Sequence, residues 1–255
     1  MELNHKTFGE GDPVIILHGL FGTLDNWQTV AKKLAEHFMV CIVDLRNHGR
    51  SPHVEGHNYK LMAEDLADFM EENWMHNAHI IGHSMGGKTA MQFAVDFPDM
   101  LNKLVVVDIA PKAYQGGHQT IFDALLSVDI DTVQTRKEVE EHLSKFIDDA
   151  GVRLFLMKNL SRKKEGGFQW KMNLQEIYIN YSNILDTIEI EDVVKNESLF
   201  INGSKSDYVD EADKEAIRTL FADPSFETID DAGHWVHAEQ PKALIESVLN
   251  FLTQQ

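Results

Sequence analysis

Six short apolar runs punctuate the chain: Val14–Leu17, Met39–Val43, His79–Ile81, Leu104–Val107, Leu199–Ile201 and Phe226–Ile229. Each is bounded by turn-forming or polar residues, and unbroken runs of that length read as buried strands. Helical patterns lie between them. From Leu61 to Trp74 the residues Met62, Leu66, Phe69, Met70 and Trp74 recur near the 3.6-residue period, after an Asn58 suited to cap a helix. Strand alternating with helix predicts an α/β fold, with a mostly parallel central sheet covered by helices and a ligand crevice at the carboxyl ends of its strands.

The alternation lapses between about Gln115 and Asn196. No strand-like run stands out there, and helical stretches follow one another. Thr135-x-x-Glu138 is a capping-box pattern, and Leu154 to Leu160 and Met172 to Leu185 offer apolar faces. The expectation is a core of residues 1–114 and 196–255, with residues 115–195 as a helical cap over the crevice.

At 255 residues the chain is long enough to bury a core without disulfides or a structural metal. The net charge of −18 repels nucleic acid and anionic lipid surfaces, so neither is expected as a partner. No apolar run approaches the ~18 residues of a membrane span, and no stable membrane association is expected. A polar start without a secretory pattern and a single cysteine, Cys41, point to the cytoplasm. The one dense basic cluster, Arg162-Lys163-Lys164, reads as a solvated loop.

Chemistry enters with Gly82-His83-Ser84-Met85-Gly86, a G-x-S-x-G nucleophile elbow. The pentapeptide alone is a weak signal, since a chain of this length contains one by chance about one time in ten. Its setting gives it weight. The motif follows the run His79–Ile81 and precedes a helical pattern in Thr89, Ala90, Phe93, Ala94 and Phe97. A reversal that sharp crowds the positions two before and two after the serine, which leaves room there only for glycine.

His18-Gly19-Leu20-Phe21-Gly22 follows the run Val14–Leu17 and should lie beside the elbow. Acyl transfer needs two backbone amides aimed at the developing oxyanion, and Leu20 and Met85 are the candidates. Phe21 should shape the pocket, and His18 reads as a buried residue bonding the loop backbone. In Asp44 to Ser51, Asp44 and Arg46 suit pinning of a third loop. His53 and His57 resemble a metal-binding pair only faintly, and no metal site is expected.

In folds built on this elbow the chain order is serine, acid, histidine. His234, in Asp231-Ala-Gly-His234-Trp235, follows the last strand run and is the candidate base, with Trp235 large enough to pack beneath the loop. His237 should open the next helix. Two aspartates stand at carboxyl ends of strands, Asp108 and Asp207. Spacing alone leans slightly to Asp207.

The sequence resembles the YbfF-like esterases, a capped branch of the α/β-hydrolase superfamily, outside the cap. The resemblance is carried by His18-Gly-Leu-Phe-Gly22, Asp44 to Ser51, Gly82-His-Ser-Met-Gly-Gly-Lys88, Asp108-Ile-Ala-Pro111 and Gly233-His-Trp-Val-His-Ala-Glu239. It implies the α/β-hydrolase fold, Asp108 as the acid, Ser206 as its support and Tyr208 as a substrate anchor. Where the family would place a cap arginine, Tyr114-Gln-Gly-Gly-His118 offers His118 as a substrate-binding residue. The expectation is a serine esterase or thioesterase acting without a cofactor on small esters or acyl thioesters, acyl-CoA among them. Carbon-carbon bond hydrolases and perhydrolases use the same elbow, and a non-catalytic ligand-binding protein is the reading from another class.

Overall fold

The structure is a computed structural model that describes residues 1–254. The chain opens with β1 (His5–Phe8), β2 (Pro13–Leu17), α1 (Gln28–Leu34) and β3 (Met39–Val43). α2 (Tyr59–Glu72), β4 (Ala78–His83), α3 (Met85–Asp96) and β5 (Leu101–Val107) follow. An insertion then carries α4 (Gln119–Leu126), α5 (Arg136–Leu143), α6 (Ala150–Met157), β6 (Leu160–Arg162), β7 (Phe168–Trp170), α7 (Leu174–Ile179) and α8 (Tyr181–Leu185). The chain returns through β8 (Ser198–Gly203), α9 (Glu211–Leu220), β9 (Ser225–Ile229), α10 (Val236–Glu239) and α11 (Pro241–Thr253).

Among the described residues, seven strands form one sheet in the order β1-β3-β2-β4-β5-β8-β9. Every neighbouring pair is parallel except β1 with β3. Successive strand residues point to opposite faces, so each apolar run feeds two cores. Ile15, Leu17, Cys41, Val43, Ile80 and Val106 pack with α2 and α3. Val14, Ile16, Val40, Ile42, Ile81 and Val105 pack with α1 and α11.

All six apolar runs lie in strands, but β9 is an exposed edge whose one buried residue is Ile229, not the buried strand expected. β1 went unseen because His5-Lys6-Thr7-Phe8 is polar, as suits an edge strand facing solvent. Asn58 caps α2, accepting from the Leu61 amide at 2.9 Å. Trp74, counted in the apolar stripe, lies beyond the helix end at φ 58° and is exposed.

The insertion has its own core, built from Phe122, Leu125, Val139, Leu143, Leu156, Phe168 and Ile177. Thr135 caps α5 through the Glu138 amide, and the Glu138 carboxylate accepts in return from the Gln134 amide. The expectation of an all-helical stretch is corrected by the antiparallel pair β6 and β7, too short to register as apolar runs. Arg162 ends β6 with its guanidinium over Phe168, and Lys163 pairs with Asp131 at 3.0 Å.

Candidate active site

Ser84 sits at the turn from β4 into α3 with φ 53° and ψ −118°. A non-glycine residue held there costs about 1–3 kcal/mol, which the surrounding packing must offset. The two motif glycines explain how the turn closes. A Cβ on Gly82 would overlap the Gly86 carbonyl, and one on Gly86 would fall 2.5 Å from the Leu17 carbonyl oxygen.

Asp108 leaves β5, which pairs with β4, in a left-handed conformation (φ 54°) and is fully buried. Three donors converge on its carboxylate: the Gly203 amide at 3.0 Å on Oδ1, and Ser206 Oγ at 2.5 Å and His234 Nδ1 at 2.7 Å on Oδ2. A buried carboxylate needs such partners, since each unpaired oxygen would forfeit its hydration. Asp207 is exposed and makes no hydrogen bond to His234. Geometry therefore brings Asp108 to the histidine, against the lean from spacing.

His234 is held on other sides by Tyr208, expected as a substrate anchor, and by Tyr114 and His83, to which the sequence reading gave no role. Tyr208 stacks on its ring, with centroids 3.8 Å apart. The Tyr208 carbonyl accepts from Tyr114 Oη at 2.8 Å, and Tyr114 Oη accepts from the Ala110 amide at 2.8 Å. His83, inside the elbow, lies 2.8 Å from the His234 carbonyl through Nε2. Burial holds His83 well below the usual histidine range, so it is neutral, and facing a carbonyl it donates from Nε2. Trp235, expected to pack against the loop, is half-buried. It meets Phe155 of α6 at 5.6 Å, whereas His237, in α10, stacks on Trp27 at 4.5 Å.

The loop after β2 lies against the elbow, where a Cβ on Gly19 would come within 3.2 Å of Ser84 Cβ. His18 Nε2 accepts from the Leu45 amide at 3.0 Å, so its Nδ1 donates to the Gly19 carbonyl at 2.9 Å. Phe21, at φ 59°, donates its amide to His48 Nε2 and accepts from Asn159 Nδ2 at 2.7 Å. The amides of Leu20 and Met85 donate to no protein acceptor among the described residues. Met85 also opens α3, where the helix dipole favours an anion.

Asp44 accepts from the amides of Leu24 and Arg50, and Arg46 forms a buried two-pronged pair with Asp65 of α2. These residues hold backbone and helix in place and do not contact Ser84. His53 bonds the Lys171 carbonyl, while neither nitrogen of the buried His57 has a partner among the described residues.

Two chambers meet at Ser84 beneath the insertion. The larger, about 380 Å³, is walled by Met85, Ile109, Ile184, Leu185, Tyr181 and Asp207 among others. The smaller, about 50 Å³, includes His234, Phe21, Phe155 and Trp235. A groove of about 1070 Å³ beside α2 and α3 is larger still, but none of the candidate residues Ser84, Asp108 or His234 lines it.

Lys88, on α3, crosses to both roots of the insertion. Its Nζ donates to the Lys112 carbonyl at 2.7 Å and to the Asp186 carbonyl, and burial lowers its pKa to about 8. Lys88 stood in the sequence only as the end of the elbow stretch.

The sequence profile of the alpha/beta hydrolase fold matches residues 12–241. The chain is 35% identical to Esterase YbfF of Escherichia coli over 94% of this chain and 92% of that one. It is 35% identical to the sn-1-specific diacylglycerol lipase ABHD11 of Danio rerio over 99% of this chain and 83% of the relative. Among solved structures, a marine microorganism esterase superposes with a TM-score of 0.96 at 45% identity, covering 98% of this chain and 99% of that one. No helix among the described residues is long and apolar enough to cross a membrane. The chain belongs to the α/β-hydrolase family, among the carboxylic ester hydrolases of its YbfF-like esterase branch.

Proposed function

We propose that the chain hydrolyses carboxylic esters through an acyl-enzyme on Ser84, with His234 as general base and Asp108 orienting it. Ser84 Oγ attacks the carbonyl carbon as its proton passes to His234 Nε2. The bond to the leaving oxygen then breaks, and the alcohol departs with that proton. Water, deprotonated by His234, adds to the acyl-enzyme, and the acid leaves as Ser84 regains its proton. The amides of Leu20 and Met85 hold the oxyanion in both halves.

The observation that carries this reading is the 2.7 Å contact between Asp108 and His234 Nδ1 at the mouth of the elbow. It fixes the tautomer that leaves Nε2 free to take a proton. His234 lines the smaller chamber, so the leaving group, which needs that proton, takes the smaller side and the acyl group takes the larger. The larger chamber's apolar wall suits fatty acyl groups such as those of the esters that the diacylglycerol lipase relatives are named for. The insertion then acts as a cap over both. The same steps cleave thioesters. For an acyl-CoA the phosphates would rest outside, because no lysine or arginine stands among the lining residues of either chamber. A cytoplasmic setting suits the lone buried thiol of Cys41.

Methyl esters of increasing acyl length, followed by proton release, test the reading. Wild-type protein should turn them over, and Ser84→Ala should fall to the uncatalysed background. Undiminished turnover in Ser84→Ala would refute it.

A further inference from the structure

His118 stands where the two chambers meet. With Leu20 and Ser84 it is one of three residues that line both. Its Nδ1 lies 2.6 Å from the Tyr181 hydroxyl. The Gly117 amide donates to that hydroxyl oxygen at 3.4 Å. A phenol O–H is a stronger proton donor than a neutral imidazole N–H, so the pair is read with the hydroxyl donating to Nδ1. Burial, and then the neighbouring His234, lowers His118 to about 4, so the ring is neutral at ordinary pH. A neutral imidazole that accepts at Nδ1 carries its N–H on Nε2. That N–H has no protein acceptor among the described residues. Phe21 meets the ring edge-on, with centroids 6.0 Å apart.

Cations stand only behind the chamber wall, Lys88 over the rings of Tyr59 and Tyr114 at 5.5 and 4.9 Å and Lys112 over Tyr114 at 5.2 Å. Asp207 stands in the wall of the larger chamber, and no lysine or arginine lines either one. An ester or hydroxyl oxygen needs only one donor here. A carboxylate on the acyl group would face Asp207 with no cation among the lining residues, because Lys88 and Lys112 are engaged by the Asp186 carbonyl and Asp213.

We propose that His118 is the insertion's polar anchor for the substrate, a neutral hydrogen-bond donor that selects uncharged esters and turns away acyl groups bearing a carboxylate. The assignment rests on the ester-hydrolase reading above, and His118 supplies selectivity where a cationic anchor would reverse it.

The test compares methyl isocaproate with methyl hydrogen succinate, its charged counterpart of similar shape, by proton release. Wild-type kcat/KM should favour the uncharged ester by about 100-fold. His118→Ala should lose about tenfold on the uncharged ester, and His118→Gln, which keeps an N–H, should lose less. His118→Arg should narrow the ratio about tenfold or more by giving the carboxylate a partner. Labelling of Ser84 by a fluorophosphonate reports a folded reaction centre in each variant. A wild type that labels at Ser84 yet hydrolyses both esters equally overturns the proposal, as does a ratio that His118→Arg leaves unchanged or an unimpaired His118→Ala. A wild type that neither labels nor hydrolyses either ester removes the ester-hydrolase reading and this proposal together.

Discussion

The phenol ring of Tyr208 lies flat against the imidazole of His234, with centroids 3.8 Å apart and planes inclined by 15°. His234 is thus held in three directions: by Asp108 at Nδ1, by Tyr208 on its face and by His83 at its own carbonyl. Tyr208 owes its position to Tyr114, which ties the Tyr208 carbonyl to the end of β5. The loops after β5, β8 and β9 are therefore tied to one another through these contacts.

Tyr208→Ala should lower kcat on a methyl ester by about 3- to 10-fold, the equivalent of an aromatic pair worth ~0.5–1.5 kcal/mol. Tyr208→Phe keeps the ring and should stay near wild type. Steady-state kinetics on the pair separates stacking from any role of the hydroxyl.

Asp108→Asn should cost on the order of 10⁴ in kcat, because an amide cannot hold His234 in the working tautomer. Asp207→Asn leaves the histidine's partner in place and should change kcat by less than about tenfold. The same assay with both variants decides between the two carboxylates, and a larger loss at Asp207 would reassign the acid.

Lys88→Met should loosen the roots of the insertion without unfolding the sheet. It strips the carbonyls of Lys112 and Asp186 of a charged donor, a loss of about 1.5–3 kcal/mol. Tyr114 and Ile188, whose amides pair across the two roots with Leu185 and Pro111, should exchange at least about tenfold faster. Amides within β5 should keep their protection, as read by hydrogen exchange.

Stability should fall as the solution is acidified. Burial lowers His57 and His237 to about 3, so the unfolded chain takes up these protons near its ordinary value of about 6.5 while the folded chain does not. Their contribution is complete above about pH 6.5 and is lost as pH falls from there toward about 3. Each group removes about 1.4 kcal/mol per pH unit within that window. Urea unfolding at a series of pH values should show the slope, and His57→Phe should remove one histidine's share of it.

Much of this architecture was legible because buried parallel strands demand apolar residues on both faces, as in Val14–Leu17 and Leu104–Val107. The elbow at Ser84 was legible because a turn that tight demands glycine, and His234 became a candidate because chain order restricts the proposed base to late histidines. Which carboxylate meets His234 was not legible from spacing. Asp108 and Asp207 both follow strands, and only the left-handed backbone at Asp108, with donors from Gly203 and Ser206, aims one carboxylate at the histidine. Tyr114 and His83 were hidden for a related reason. Their roles depend on carbonyl partners 94 and 151 residues away, which no local pattern records.

The most direct test of the account is the mass and location of a fluorophosphonate adduct. The protein should gain one phosphonyl group, on the peptide bearing Ser84, and Ser84→Ala should gain none. An adduct on another residue, or ester turnover by a protein that forms no adduct, would contradict the assignment of Ser84 as nucleophile.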